Sequence, residues 1–190
     1  MRLLDLKPFD IADSKGGLIK VSGAFVRKGG QLDFEFDVRG LGVGIFWPAL
    51  VASPSRVDGL YRSTCFEIFI ARGPDYVEYN FSPSSDWCGF AFSSYRIRHS
   101  VDDTIFCPLS IKSYESEDHG RVEGTIDLQP VLRALSWDET KNPLMLGMSA
   151  VLKISDRTSY WALSHDGDKA DFHLLSSFTQ AVSQSENKDR

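Results

Sequence analysis

The chain has 190 residues, of which 42% are hydrophobic and 25% are charged, so it is long enough and apolar enough for one globular domain. Its net charge of −5 argues against a nucleic-acid-binding surface, which would need clustered lysine and arginine residues. The sequence has no stretch of about 18 apolar residues, which a membrane-spanning helix would need, and its N-terminal residues lack the apolar core of a secretory signal. We therefore expect a cytoplasmic protein.

The first predicted elements are two strands joined by a tight turn. Residues 31–38 carry an apolar residue at every second position, namely Leu32, Phe34, Phe36 and Val38. This alternation is typical of a strand with one face in the core and the other in water. Residues 18–26 are predicted to pair with it through a turn at Lys28-Gly29-Gly30.

The middle of the chain predicts a β-meander. Strands are expected over 64–71, 76–82 and 87–93, because turn sequences rich in Gly, Pro, Ser and Asp separate these apolar runs. Residues 40–62, which precede them, have little periodicity and predict a long functional loop.

The second half of the chain continues the same pattern. Further strands are predicted over 105–114, 121–128, 144–155 and 159–164, and Pro130 favours the first turn of a short helix over 130–135. About nine strands with one short helix indicate an all-β antiparallel sandwich or barrel. We expect a single domain over 1–182 and a disordered polar tail over 183–190.

Polar side chains that share one face of a strand are the first candidates for a binding site. Alternation along 76–82 gives one face a polar row, which consists of Tyr76, Glu78, Asn80 and Ser82. Such a row offers the donors and acceptors that a polyhydroxylated ligand needs. The alternative is a structural hydrogen-bond network that caps the turn.

Two residues near this row are further candidates. Glu67 points to the opposite face from its apolar neighbours, where it could accept a hydrogen bond from a ligand, bind a metal ion or simply face solvent. Trp87 follows the turn after the polar row, and its ring could stack on a sugar.

The densest group of metal-capable side chains lies in segment 160–173. Carboxylates near two imidazoles could bind a divalent metal ion, and the candidate ligands are His165, Asp168, Asp171 and His173. The spacing matches neither a calcium-binding EF-hand loop nor a zinc-binding helix, and Asp166-Gly167-Asp168 is also an ordinary turn sequence. Haem is disfavoured, because Met145 and Met148 lie on a predicted strand and are expected to fill the core.

Three stretches together resemble a known family. Residues 59–71 (GLYRSTCFEIFIA), 76–96 (YVEYNFSPSSDWCGFAFSSYR) and 160–178 are similar to DOMON-like proteins, which are related to the family-nine carbohydrate-binding modules. The resemblance is to the cytoplasmic branch of that family. It implies an immunoglobulin-like β-sandwich whose concave surface or loop end holds a sugar or haem.

The resemblance also implies functional positions. Those that fall on the family's motifs are Glu67, Glu78, Asn80, Ser82, Ser84, Trp87, Tyr95, Arg96, Trp161, His165, Lys169, Asp171 and His173. The chain departs from the pattern at three places, where Tyr61 replaces a tryptophan and Asp166 and Ala170 replace prolines.

The leading hypothesis is a non-catalytic module that binds a small polar ligand such as a carbohydrate. The candidate ligand-binding residues are Glu67, Glu78, Asn80, Ser82, Trp87, Tyr95, Arg96, Trp161, His165 and Lys169. Arg96 could instead pair with Glu67 or Glu78 in a purely structural network. The alternatives are a protein-interaction module that uses the 40–62 loop or a sheet edge, and a metal-assisted enzyme that uses the cluster in 165–173. The sequence leaves the oligomeric state open.

Overall fold

The structure is a computed structural model, which describes residues 1–138 and 143–183. These residues form twelve strands and one α-helix. In chain order the strands are β1 (Leu4–Pro8), β2 (Lys20–Lys28), β3 (Gln31–Arg39), β4 (Cys65–Arg72), β5 (Asp75–Phe81), β6 (Trp87–Ser94), β7 (Ile97–Arg98), β8 (Ser110–Glu115), β9 (His119–Asp127), β10 (Leu144–Ile154), β11 (Arg157–Ala162) and β12 (Gln180–Val182), and the helix is α1 (Gln129–Ala134).

The strands form an antiparallel β-sandwich whose two sheets share one strand. One sheet has the order β7-β6-β5-β4-β10-β11, with β12 also paired to β10, and the other has the order β2-β3-β9-β8. β1 joins them, because Leu4–Leu6 pair with β2 whereas Lys7 and Pro8 pair with β11. No helix in the described parts of the chain is long and apolar enough to cross a membrane.

The core lies between the two sheets and is rich in phenylalanine. Phe34 on β3 stacks on Phe81 of β5 with ring centres 4.3 Å apart, and Phe36 packs on Phe66 of β4 at 5.0 Å. These contacts follow from the alternation in the sequence, because every second side chain of β3 is buried between the layers.

Most of the predicted elements are confirmed. The antiparallel sandwich, the single short helix and the 40–62 loop are all present, and that loop contains only two short 3-10 turns. The strand expected over 105–114 is wrong in its first half, because Asp103–Phe106 form a 3-10 turn and β8 begins at Ser110. The sequence analysis missed β1, β7 and β12, which are the shortest strands. The polar tail lies outside the described residues except for Ser183.

The outer face of the larger sheet is also covered, unlike that of the smaller sheet. Every residue of β4 from Cys65 to Ala71 is buried, although only alternate ones face the core. Among the remaining side chains, Phe69 packs under the segment after β11, where Phe178 stacks on it with ring centres 5.3 Å apart. This second, smaller apolar cluster borders the cavity described next.

Candidate functional site

A cavity of about 570 Å³ opens on the outer face of the larger sheet. Strands β4, β5 and β6 form its floor, and the end of the 40–62 loop and the segment after β11 form its sides. It is lined by Asp58, Gly59, Tyr61, Arg62, Glu67, Glu78, Phe90, Phe92, Arg96, Arg98, Val151, Tyr160, Ala170, Phe172 and His173. The structure therefore brings together residues from the three sequence stretches that carry the family resemblance.

Two buried glutamates lie on the floor of the cavity. Glu67 on β4 and Glu78 on β5 are only 4% and 7% exposed, and both side chains project away from the core because they occupy alternate positions to its apolar residues. Ser149 Oγ donates a hydrogen bond to Glu67 Oε2 at 3.2 Å, and Asn80 Nδ2 donates one to Glu78 Oε1 at 2.6 Å. These contacts satisfy one oxygen of each carboxyl group.

Burial changes the protonation of this carboxyl pair. Burial is the main cause and the nearby charge of Glu78 the next, and together they raise the pKa of Glu67 to about 8. Burial also raises the pKa of Glu78, which hydrogen bonding from Asn80 partly opposes. Glu67 is therefore protonated at neutral pH, so its carboxyl group can both donate and accept a hydrogen bond.

His173 extends the polar floor. The backbone N–H of Arg96 donates a hydrogen bond to the Tyr76 hydroxyl at 2.9 Å, and that hydroxyl shares a hydrogen bond with His173 Nδ1, also at 2.9 Å, in which the donor depends on the tautomer of the ring. The other ring nitrogen, Nε2, lies 3.6 Å from Glu78 Oε2. Burial lowers the pKa of His173 to about 4, with the charge of Arg96 as the next cause, and the ring is uncharged at neutral pH.

Aromatic rings form much of the wall above this floor. Phe90 and Phe92 project from β6, Phe172 comes from the segment after β11, and Tyr61 and Tyr160 lie at the exposed rim. Flat apolar rings beside fixed polar groups are the usual lining of a small-molecule site.

Arg96 belongs to a surface network at the rim of the cavity. It lies in the two-residue turn between β6 and β7, and its Nη2 donates to Asp171 Oδ1 at 2.9 Å. The hydroxyl of Tyr95 donates to the other oxygen of Asp171 at 2.5 Å. Arg96 is thus paired with Asp171 and not with the floor glutamates, which had been the structural alternative.

Two other arginines line the cavity without such a carboxylate partner. The guanidinium carbon of Arg98 lies 3.5 Å from the centre of the Phe90 ring, and that of Arg62 lies 5.6 Å from the centre of the Tyr61 ring. Among the described residues neither arginine makes an ion pair. Aromatic rings therefore position both cations.

The ten predicted ligand-binding residues divide into three groups. Glu67, Glu78 and Arg96 line the cavity. Asn80 and Tyr95 lie outside the lining but support residues within it. Asn80 donates a hydrogen bond to Glu78, and Tyr95 donates one to Asp171, the partner of Arg96. The other five, which are Ser82, Trp87, Trp161, His165 and Lys169, lie outside the lining.

The structure packs both tryptophans against the core and not into the cavity lining. Trp87 is paired with Phe81 across β5 and β6, and side chains opposite each other in an antiparallel pair share a face, so Trp87 packs against the core. Trp161 is buried in the same core, where its indole Nε1 donates to Ser159 Oγ at 2.7 Å.

Of the remaining three predicted positions, Ser82 and His165 make hydrogen bonds that hold the backbone, and Lys169 is exposed. Ser82 Oγ accepts hydrogen bonds from the backbone N–H and the hydroxyl of Ser84, so it serves the turn before β6. His165 Nε2 contacts the backbone carbonyl of Lys7 at 2.9 Å, which fixes the segment after β11 to β1. Lys169 is exposed and lies outside the cavity lining.

The four candidate metal ligands do not converge. His173 faces Glu78 in the cavity, Asp171 pairs with Arg96, His165 contacts β1, and Asp168 is exposed. Within residues 1–138 and 143–183, no group of three or more His, Cys, Asp or Glu side chains has the geometry of a metal site. These four residues therefore do not form the metal site that the hypothesis of a metal-assisted enzyme requires.

Several lining residues were missed by the sequence analysis. Phe90 and Phe92 were assigned only to a strand, and Arg98, Phe172 and Val151 were not singled out. A signal was present for β6, because Cys88, Phe90 and Phe92 alternate with Trp87, Gly89 and Ala91, and only one of these sets can face the core. Tyr61 had been noted as an aromatic replacement at the rim, and it does line the cavity.

Comparison with known proteins relates the chain to others by fold. No protein-family model matches it, and no curated protein matches its sequence. A solved structure of a protein from Bacteroides uniformis that was proposed to bind carbohydrate superposes with a TM-score of 0.67 at 12% identity, over 96% of this chain and 87% of that one. A family 9 carbohydrate-binding module from Caldicellulosiruptor kristjanssonii, solved in complex with glucose, superposes with a TM-score of 0.55 at 14% identity, over 90% of this chain and 80% of that module. The chain therefore has the β-sandwich fold of these two structures.

Proposed function

We propose that the cavity binds a carbohydrate and that the chain is a non-catalytic binding module. The observation that carries this proposal is the pair of buried carboxyl groups, Glu67 and Glu78, which form the floor of a cavity with aromatic walls. Sugars need both features, because their hydroxyl groups bind fixed polar groups while their C–H faces pack on aromatic rings.

The floor can pair with hydroxyl groups in both directions. Protonated Glu67 can donate and accept, the Oε2 atom of Glu78 can accept, and Nε2 of His173 can donate or accept according to its tautomer. Buried polar groups without partners are costly, so this floor favours a ligand whose every polar group is both a donor and an acceptor. A sugar meets that requirement better than an apolar ligand of the same size.

The size of the cavity and the related folds support the same proposal. A volume of about 570 Å³ lies within the range of about 300–1,000 Å³ that is usual for small-ligand sites. Of the two structures with this fold, one was proposed to bind carbohydrate and the other holds glucose. The narrower assignment to the DOMON-like family is part of the proposal and rests on the motifs in 59–71, 76–96 and 160–178.

The test is titration calorimetry of the purified protein against a panel of neutral monosaccharides and disaccharides, with wild type and Glu78→Gln. The Gln side chain can still accept the hydrogen bond from Asn80, but it presents an amide N–H₂ where Glu78 presents the acceptor Oε2. We expect about a tenfold or greater loss of affinity for the sugar that binds wild type, which corresponds to one charge-assisted hydrogen bond.

Two matched pairs control this experiment. Glu117→Gln makes the same chemical change at an exposed position outside the cavity and should bind like wild type. Tyr61→Ala removes a rim ring that is 52% exposed and should weaken binding, whereas Tyr114→Ala removes a ring that is 51% exposed on β8 and should not. A wild-type protein that binds no sugar, neutral or acidic, or a Glu78→Gln variant with wild-type affinity, would overturn the proposal.

A further inference from the structure

The rim of the cavity carries two arginines that have no ion-pair partner among the described residues. Of its three arginines, Arg96 is paired with Asp171, whereas Arg62 and Arg98 make no ion pair within residues 1–138 and 143–183. The chain as a whole has a net charge of −5, so two such arginines on one cavity depart from the general character of the molecule.

The other ionisable groups of the lining make no ion pair with these two arginines among the described residues, and the charge of Arg98 only partly opposes the burial that raises the pKa of Glu78. Asp58 pairs with Arg56 at 3.0 Å, and Arg56 in turn pairs with Asp103 at 2.7 Å. Burial raises the pKa of Glu67 to about 8, so this group is uncharged at neutral pH. His173 is also uncharged, because burial lowers its pKa to about 4.

The way in which Arg98 is held leaves its donors available. Its guanidinium carbon lies 3.5 Å from the centre of the Phe90 ring and 5.3 Å from that of Phe92, which places the planar group against the aromatic wall. A guanidinium stacked by its face keeps the N–H groups along its edge free, and this edge matches the two oxygens of a carboxylate or phosphate. A surface arginine that served only solubility would not need two rings of the cavity wall to position it.

We propose that the natural ligand of the cavity is an anionic sugar, whose carboxylate or phosphate group binds Arg98 and Arg62 while its hydroxyl groups contact the floor formed by Glu67 and Glu78. This inference rests on the proposed function, since it specifies the class of sugar for the same site. The chemistry divides the ligand into an anionic end at the exposed rim and a neutral hydroxylated end at the buried floor. That polarity matches the cavity, in which Arg62 and Arg98 are exposed and Glu67 and Glu78 are buried.

The test compares pairs of sugars with and without an anionic group. Calorimetry would measure the affinity of the full chain for glucuronate against glucuronamide, for glucose 6-phosphate against glucose, and for the corresponding galactose and mannose pairs. We expect the anionic member of at least one pair to bind about tenfold or more tightly than its neutral counterpart, as one bidentate charge-assisted contact would give. The gain should shrink as the salt concentration rises from about 20 mM to about 500 mM, because the rim is exposed.

Variants assign the gain to the two arginines. Arg98→Gln and Arg62→Gln should each lower the affinity for the anionic sugar by more than they lower that for its neutral counterpart, so the ratio of the two affinities should fall toward one. Arg133→Gln is the matched control, because Arg133 is exposed on α1, outside the cavity and without an ion pair among the described residues, and it should behave like wild type. Which pair shows the gain distinguishes a sugar acid from a sugar phosphate.

Three outcomes would overturn the inference. Equal affinity within every pair would remove the anionic class but leave the neutral-sugar proposal standing. Inorganic phosphate or acetate that binds as tightly as the anionic sugar would reduce the site to an anion site without sugar recognition. A complete lack of binding to neutral and anionic sugars would overturn the proposed function together with this inference.

Discussion

At the scale of single residues, Glu67 links the environment of the cavity to the stability of the fold. Its side chain accepts one hydrogen bond from Ser149 and is otherwise enclosed by β4, β5 and β10. Carboxyl groups with strongly raised pKa values occur most often at functional sites. At ordinary positions, solvent or an ion-pair partner keeps the carboxyl group ionised. The burial that keeps Glu67 protonated at neutral pH therefore couples its ionisation to the stability of the fold.

The pH dependence of stability tests this environment. Between pH 4.5, its ordinary pKa, and about pH 8, folded Glu67 holds a proton that the unfolded chain has released. The native state then binds more protons than the unfolded state, so this contribution is complete below pH 4.5 and is lost as the pH rises through about 8. We expect the free energy of unfolding of wild type to fall relative to that of Glu67→Gln by up to about 1.4 kcal/mol per pH unit in this interval.

Urea unfolding of both proteins at a series of pH values measures this difference. The clearest window lies above pH 6.5, the ordinary pKa of histidine, because His173 contributes with the opposite sign between that value and about pH 4. There the folded imidazole has released a proton that the unfolded one still binds, so its contribution is lost as the pH falls. Glu117→Gln should keep the slope of wild type, and parallel curves for wild type and Glu67→Gln would contradict the raised pKa.

At the scale of secondary structure, the faces of β4 and β5 were predictable from the sequence, but that of Trp87 was not. Glu67 and Glu78 alternate with apolar residues inside their own strands, so their shared face follows from the period of two. The face of Trp87 depends on the turn over 82–86, and one residue more or less there would move the ring to the other side of the sheet. The indole was therefore assigned to the site by its chemistry, whereas the turn directs it into the core.

The segments that close the cavity could not be predicted for a different reason. The 40–62 loop and the segment after β11 have no hydrophobic period, so their positions depend on contacts with distant residues. His173 reaches the floor through Tyr76 on β5, and Asp171 is fixed by Arg96 in the turn after β6. No spacing within one segment encodes such contacts, which is why four metal-capable residues close in sequence separate in the fold.

Gly89 on β6 shows how a residue outside the cavity lining can position the rim. A Cβ atom at this residue would lie 2.7 Å from Cδ1 of Phe106 and still closer to its Cβ and Cγ, so only glycine lets the Asp103–Phe106 turn pack on the sheet. That turn supplies Asp103 to Arg56, which in turn holds Asp58 of the cavity lining.

We expect Gly89→Ala to lower the free energy of unfolding by about 1–3 kcal/mol, as overpacking of a core does. It should also weaken sugar binding at pH 7 through the displaced turn. The control is Gly42→Ala, whose Cβ would meet its nearest neighbours at 3.6 and 3.7 Å without a clash. Denaturant titration measures the stability of both, and a Gly89→Ala protein as stable as wild type would contradict the packing argument.

At the scale of the whole molecule, β1 makes the two sheets one structure. Its first three residues pair with β2 and its last two pair with β11, so the hydrogen-bonded path runs without interruption from β7 to β8. The sequence analysis examined this N-terminal segment only as a possible signal and did not assign it to the sheet. Its strand is too short to show a clear period of two, and its role follows from the sheets it joins.

The central residue of β1 provides the test of this coupling. Leu6 is 4% exposed and packs in the core at the point where the strand passes between the sheets, whereas Leu3 is 60% exposed just outside it. We expect Leu6→Ala to lower the free energy of unfolding by about 2–5 kcal/mol, as truncation of a buried leucine does, and Leu3→Ala to change it by less than about 0.5 kcal/mol. Because β1 belongs to both sheets, the variant should still unfold in one transition, with far-ultraviolet and near-ultraviolet circular dichroism giving the same midpoint. Two separate transitions in Leu6→Ala would mean that the sheets are stable independently, and the cavity on the larger sheet would then not depend on the smaller one.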